Sequence, residues 1–250
     1  MSATASQANT PHAVPGEHPY VRVWDLPLRI FHWLLVIAIA VAFLSSEEDG
    51  WLNQWHILAG WIAGILITFR LVWGFVGGEH SRFADFVRPS RIGDHIRELF
   101  RRKAEPTLGH NPLGGISVVV LLALVAVTVW TGAFGGGRAE DVHEIIAWTL
   151  LAFVGLHIAA VVIMSVLQRE NLVSAMITGR KSAASHVGAT NARRPSAIGL
   201  LVTSVVLAGA VYGILQYDPQ AFTLRRAESF ERRATTASDM GNSDQQEEKD

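Results

Sequence analysis

The sequence predicts an all-α integral membrane protein, a four-helix bundle with a fifth transmembrane helix on its C-terminal side. Three observations predict it. Half of the 250 residues are hydrophobic and only 17% are charged, against about 25% in soluble domains. Five apolar runs approach or exceed the roughly 18 residues that mark a membrane span. Four histidines lie inside those runs, at spacings that sort them into two layers.

Composition narrows the chemistry before any motif is read. There is no cysteine, which excludes disulfides, thiolate-held iron–sulfur clusters and covalently attached c-type haem. A redox cofactor must therefore be held by nitrogen or oxygen ligands. The segment 1–27 begins polar, without a charged start followed by an apolar core, so no cleaved signal peptide is expected. No nucleic-acid partner is expected; the expected surroundings are membrane lipid.

The first span runs from Leu28 to Leu44. His32 stands about one turn inside it, after Arg29, with Trp24 and Trp33 placed like interfacial aromatics. An acidic loop free of Lys and Arg follows, and the second span runs from Trp55 to Val76. His56 opens it, Gly60 and Gly64 repeat on the histidine's face, and Arg70 follows fourteen residues after His56. Small residues there either let a neighbouring helix approach or leave room for a flat ligand.

The loop 77–112 is basic, and its middle, residues 91–103, has the pattern of an amphipathic surface helix. His80, His95 and His110 in that loop read as solvated or capping residues. The third span, Leu113–Phe134, carries no ionisable side chain and is expected to complete the bundle without a chemical role. A glycine-rich turn leads to the fourth span, Val142–Leu167, which carries His143 and His157. These spans make one domain over 28–181. A linker (182–196), a fifth transmembrane helix (197–217) and a polar tail (218–250) of disordered composition complete the chain.

Lys and Arg in the loops predict the orientation. The second loop has seven and the 168–195 segment has five, whereas the first loop has none and the third has only Arg138. The expected setting is the bacterial inner membrane with the N-terminus cytoplasmic. Parity then puts the tail outside, where Arg225, Arg226, Arg232 and Arg233 run against the bias.

His143 and His157 are fourteen residues apart, so they stand about 21 Å apart and within about 40° of the same helix face. Ionisable side chains at such depths face a bundle interior or a cavity. With alternating spans, His32 and His157 share the inner layer, and His56 and His143 share the outer one. Two imidazoles per layer suit an octahedral iron that takes its four other nitrogens from porphyrin, hence two stacked haems. Zinc prefers four protein donors, though Glu144 could add an oxygen at the outer layer, leaving metal binding without porphyrin open there. Arg70 has two readings, a cationic partner for a haem propionate or simple snorkelling to the interface.

The stretch V-R-V-W-D-L-P-L-R-I-F-H-W resembles the start of the bacterial cytochrome b561 and nickel–iron-hydrogenase b-type cytochrome family. F-R-L-V-W-G-F-V-G, H-S-R-F-A-D-F, H-N-P-L-G-G and E-N-L-V-S-A-M-I-T-G-R-K resemble its later segments in order, over residues 21–181. The resemblance implies four helices that bind two b-type haems, with axial ligands at His32, His56, His143 and His157. It also implies electron exchange with quinone, as the membrane subunit of a redox partner such as a dehydrogenase, a hydrogenase or a cytochrome c. Two other classes stand beside this reading: a self-standing superoxide or quinone oxidoreductase, and a transporter or metal-binding protein that uses the histidines without haem.

Overall fold

The computed structural model describes residues 19–46, 52–86, 107–109, 112–186 and 188–224. The expected surface helix at 91–103, His95, His110 and most of the tail lie outside the described residues. Five helices are long and apolar enough to cross a membrane: Leu26–Leu44, Asn53–Val76, Leu113–Phe134, Glu140–Gln168 and Ala197–Tyr217. Their boundaries fall within a few residues of those predicted.

Each span begins and ends where local chemistry allows. Asp25 caps the first span by accepting the Leu28 N–H at 2.9 Å, with proline in the first turn, where a missing N–H costs nothing. Ser196 does the same for the fifth span through the Gly199 N–H. The fourth span stops at Arg169, a non-glycine residue in the left-handed region (φ 52°), and the Glu170 N–H closes back onto the Ser165 carbonyl.

The spans alternate in direction, as contacts at their ends establish. The end of the first span meets the start of the second, where the His56 ring reaches the Ala42 carbonyl. The fifth span starts beside Val76, at the end of the second, where a Cβ on Gly199 would come within 2.6 Å of the Val76 carbonyl oxygen. It finishes against the end of the third, where the Tyr217 hydroxyl donates to the Ala133 carbonyl at 3.0 Å. The fifth run is thus a traversing helix. Its last turn is clamped by Trp61, Phe134 and Tyr217, mutually packed rings, and by a Trp61 Nε1–H bond to Asp218.

The second span is the centre. It packs on the first, third and fifth spans, whereas the fourth packs on the third. The fourth span accordingly presents Ile145, Trp148, Leu156, Ile158 and Val166 outward, as lipid-facing residues do.

One face of the bundle carries a small cap of polar structure. Strands β1 (Tyr20–Arg22) and β2 (Arg180–Ser182) pair antiparallel, with Val21 opposite Lys181. The Val23 and Trp24 N–H groups add bonds to the Gly179 carbonyl. This ribbon ties the chain before the first span to the chain after the fourth. Residues 182–196, expected as a linker, are pinned across it: the Ala192 N–H donates to the Arg22 carbonyl, and the Arg193 N–H to Glu79.

Asp25 is the joint beneath the ribbon. Besides its cap, it accepts the Trp73 indole N–H, the Gly78 N–H at 3.1 Å and the Ser81 hydroxyl at 2.6 Å. Trp73 and Ser81 are fully buried, so Asp25 joins the start of the first span to the end of the second.

Candidate haem-binding site

The far end of the bundle, opposite the ribbon, brings His56 and His143 together. Their ring centres are 6.0 Å apart with planes at 78°. An imidazole nitrogen sits about 2 Å from a bound metal and about 1 Å from its own ring centre, so one ion between two imidazoles needs about 6 Å. The observed spacing meets that requirement.

Hydrogen bonds decide which nitrogen faces the gap. His56 Nδ1 lies 2.8 Å from the Ala42 carbonyl oxygen, in the last turn of the first span, where helix carbonyls lack intrahelical donors. His143 Nδ1 lies 3.0 Å from the Thr128 carbonyl oxygen and 3.2 Å from Thr131 Oγ1. A carbonyl can only accept, so each Nδ1 carries the proton and each Nε2 keeps the lone pair a metal needs. Metal-bound histidines commonly donate their other N–H in this way.

Gly132 makes the arrangement possible. A Cβ there would stand 2.9 Å from His143 Cε1, so only glycine lets the ring lie this close to the third span. Gly60, one turn beyond His56, has open space where its Cβ would be, whereas a Cβ on Gly64 would meet the Val129 side chain of the third span at 3.3 Å. Gly60 therefore leaves the room a flat ligand needs, and Gly64 lets the third span approach.

His32 in the first span and His157 in the fourth both stand in the ribbon-side half of the bundle. His157 Nδ1 lies 3.4 Å from Ser117 Oγ on the third span, and Trp33 sets its edge against the His32 ring at 5.3 Å. The structure sets His56 against His143 ring to ring and places His32 and His157 at the same end of the bundle.

Among the described residues no group of three or more His, Asp or Glu side chains is placed to hold a metal ion. Glu144 is exposed, and its carboxylate accepts the Trp148 indole N–H at 3.3 Å. Two imidazoles per layer, with no third donor among the described residues, fit a metal whose remaining positions come from a macrocycle.

Arg70 is 2% exposed. Its Nη1–H donates to the Ser81 carbonyl at 3.0 Å, and its guanidinium lies 4.8 Å from the centre of the Phe83 ring. It belongs to the buried polar joint around Asp25, on the same face of the bundle as His32. His80 is not solvated: its Nδ1 is 2.8 Å from the Asp85 carboxylate, and its side chain is 14% exposed.

Sequence reasoning missed two features. One is a buried cluster behind the ribbon, where Glu170 meets Lys181 at 3.2 Å and His186 at 3.3 Å, while Lys181 also donates to the Thr107 carbonyl. Nothing in the local pattern marks these residues, which lie five to sixteen apart in basic connecting chain. The other is the third span, whose Ser117, Thr128, Thr131 and Gly132 touch the fourth span's histidines. Its signal was available: Ser117 and Thr131 repeat at the same fourteen-residue interval as the histidines they face.

A five-span α-helical bundle with a facing pair of tautomer-fixed imidazoles fits the class of membrane b-type cytochromes. The chain belongs to the prokaryotic cytochrome b561 family, whose model matches residues 23–179. It is a multi-pass bacterial membrane protein and an electron-transfer cytochrome. A Bradyrhizobium diazoefficiens protein named "Probable Ni/Fe-hydrogenase B-type cytochrome subunit" is 26% identical, covering 72% of this chain and 93% of its own. A Rhodobacter capsulatus protein of the same name is 25% identical over 65% of this chain and 81% of its own. In Escherichia coli K12, a "Probable Ni/Fe-hydrogenase 1 B-type cytochrome subunit" is 22% identical over 64% and 90%. No solved structure matches the chain significantly.

Proposed function

We propose that this chain binds two b-type haems, one per histidine layer, and relays electrons across the membrane between a redox partner protein and quinone. The observation that carries the reading is the outer pair: two Nδ1–H groups fixed on backbone carbonyls, with ring centres 6.0 Å apart. When bound, haem supplies one-electron iron chemistry, while the protein supplies ligands, orientation and local charge. His56 and His143 hold the far-side group, and His32 and His157 hold the ribbon-side group. About 21 Å of helix separates the two histidines of the fourth span, so the layers are distinct centres.

Arg70 is the positive charge beside a propionate of the ribbon-side haem, acting from within the buried joint. Its bond to the Ser81 carbonyl and its contact with Phe83 keep the guanidinium in one place. The ribbon face is cytoplasmic, in keeping with the basic second loop and the basic 168–195 segment. The partner best supported is a hydrogenase, because the similar proteins above carry that association in their names.

The test is an optical spectrum of the purified chain, oxidised and reduced, with a pyridine haemochrome count. Two non-covalent b-type haems per chain, both low-spin, are expected. A stoichiometry near zero overturns the haem reading, and a stoichiometry of one overturns the layering.

A further inference from the structure

The third span carries no ligand, yet it meets both histidines of the fourth. Ser117 Oγ lies 3.4 Å from His157 Nδ1, and Thr131 Oγ1 lies 3.2 Å from His143 Nδ1. Two antiparallel helices that each repeat at fourteen residues keep the same pair of contacts at both ends. Of the helix's three hydroxyl residues, Ser117, Thr128 and Thr131, the first and the last stand one at each histidine.

The two contacts are unequal. The Thr131 hydroxyl donates to the Val127 carbonyl at 2.9 Å, or to that of Thr128 at 3.0 Å, which leaves its oxygen lone pairs for the His143 Nδ1–H. That N–H is thus shared between Thr131 Oγ1 and the Thr128 carbonyl. At His157 the Ser117 contact is long, near the limit of a hydrogen bond. A ligand imidazole that donates its N–H strongly becomes more basic and favours the higher oxidation state of its metal.

We infer that Thr131 and Ser117 are positioning residues that set the basicity of His143 and His157, and that their unequal bonds hold the His56–His143 centre at the lower reduction potential. Resting on the haem reading above, this assigns the third span a share in separating the two potentials, added to that of the Ala42 and Thr128 carbonyls. Electrons then run downhill from the His56–His143 layer to the His32–His157 layer.

The experiment is a redox titration of the haem-loaded protein, resolving both centres, in Thr131→Val, Ser117→Ala and the conservative Thr131→Ser. One neutral hydrogen bond changes an equilibrium by roughly two- to tenfold. At a fixed ambient potential, Thr131→Val should therefore raise the reduced-to-oxidised ratio of the lower centre by up to about tenfold, about 59 mV for one electron. The higher centre should not move. Ser117→Ala should raise the higher centre by less, and Thr131→Ser should restore the parent value. A purely structural role for Thr131 predicts haem loss or equal shifts at both centres, and either result overturns the inference, as does a two-haem Thr131→Val protein with unmoved potentials. A parent protein without haem instead overturns the underlying reading, so the two failures are distinguishable.

Discussion

Replacing Asp25 with alanine tests whether the polar joint under the ribbon holds the first two spans together. The substitution removes the cap on the first span, worth about 1 kcal/mol. It also strands the Ser81 hydroxyl and the Trp73 indole N–H, both of which lie on fully buried side chains, at about 1–3 kcal/mol each. Together these give about 4 kcal/mol, and at about 2–4 °C per kcal/mol for a chain of this size the apparent Tm should fall by roughly 10 °C. Asp25→Asn should lie between. Both carboxylate oxygens accept donors, so an amide must turn its NH2 toward either the Leu28 N–H or the Gly78 and Ser81 donors. The assay is thermal unfolding in detergent, followed by size-exclusion profile and haem absorbance. An Asp25→Ala protein melting within about 2 °C of the parent would refute the idea that this carboxylate is the joint.

Gly132→Ala puts a methyl 2.9 Å from His143 Cε1 and should lower haem occupancy at the far-side centre alone, read as a drop from two haems toward one. His56→Ala and His143→Ala should each abolish one and the same centre in a redox titration, and His32→Ala and His157→Ala the other; a common centre lost in His32→Ala and His143→Ala would contradict the layering. Burial holds the Lys181 amine below its ordinary range, against the opposite pull of Glu170. The unfolded chain therefore binds that proton more tightly, and stability should rise as pH climbs through the folded-state value toward about 10.4. Lys181→Gln should flatten that alkaline rise, and equal slopes in parent and variant would contradict it.

Much of this architecture is legible in the residues because membrane spans obey strong, local rules. Apolar length set the five spans, and the fourteen-residue interval between His143 and His157 set two layers without any tertiary information. The pairing with His56 and His32 needed only alternation of direction. Other features depend on contacts between segments far apart in sequence, which periodicity does not encode. The ribbon pairs Val21 with Lys181, and the Asp25 joint gathers donors from residues 28, 73, 78 and 81. Arg70 illustrates the boundary. Its depth could be read from spacing, but its bond to Ser81 and its contact with Phe83 depend on how the chain turns after the second span. The third span was expected to complete the bundle because it carries no ionisable side chain, and hydroxyl residues in membrane helices commonly bond back to their own carbonyls. Thr128 and Thr131 do so here, and the second contact of Thr131 is visible only once His143 is in place.

The fourth span supplies one ligand to each layer and yet packs broadly on the third span alone. Its separation from the first and second spans, which hold the opposing ligands, must therefore be fixed at its ends. On the far side this is done by side chains: the Phe43 ring meets Trp148 edge to face, and the His56 ring faces His143. On the ribbon side it is done by backbone. The turn at Arg169 sends the chain through the short helix Leu172–Thr178 into β2, whose pairing with β1 stands only a few residues before Asp25 and His32. Gly179, in the left-handed region at φ 77°, lets its carbonyl accept from Val23 and Trp24, and a Cβ there would strike the Trp24 carbonyl oxygen at 2.7 Å. Gly179→Ala should therefore loosen the His32–His157 layer while sparing the His56–His143 layer, although residue 179 lies beyond the spans that carry either pair. The measurement is the loss of each haem with temperature, followed at two resolved potentials. Equal lability of both centres in Gly179→Ala would mean that the ribbon does not set the spacing of the layer beside it.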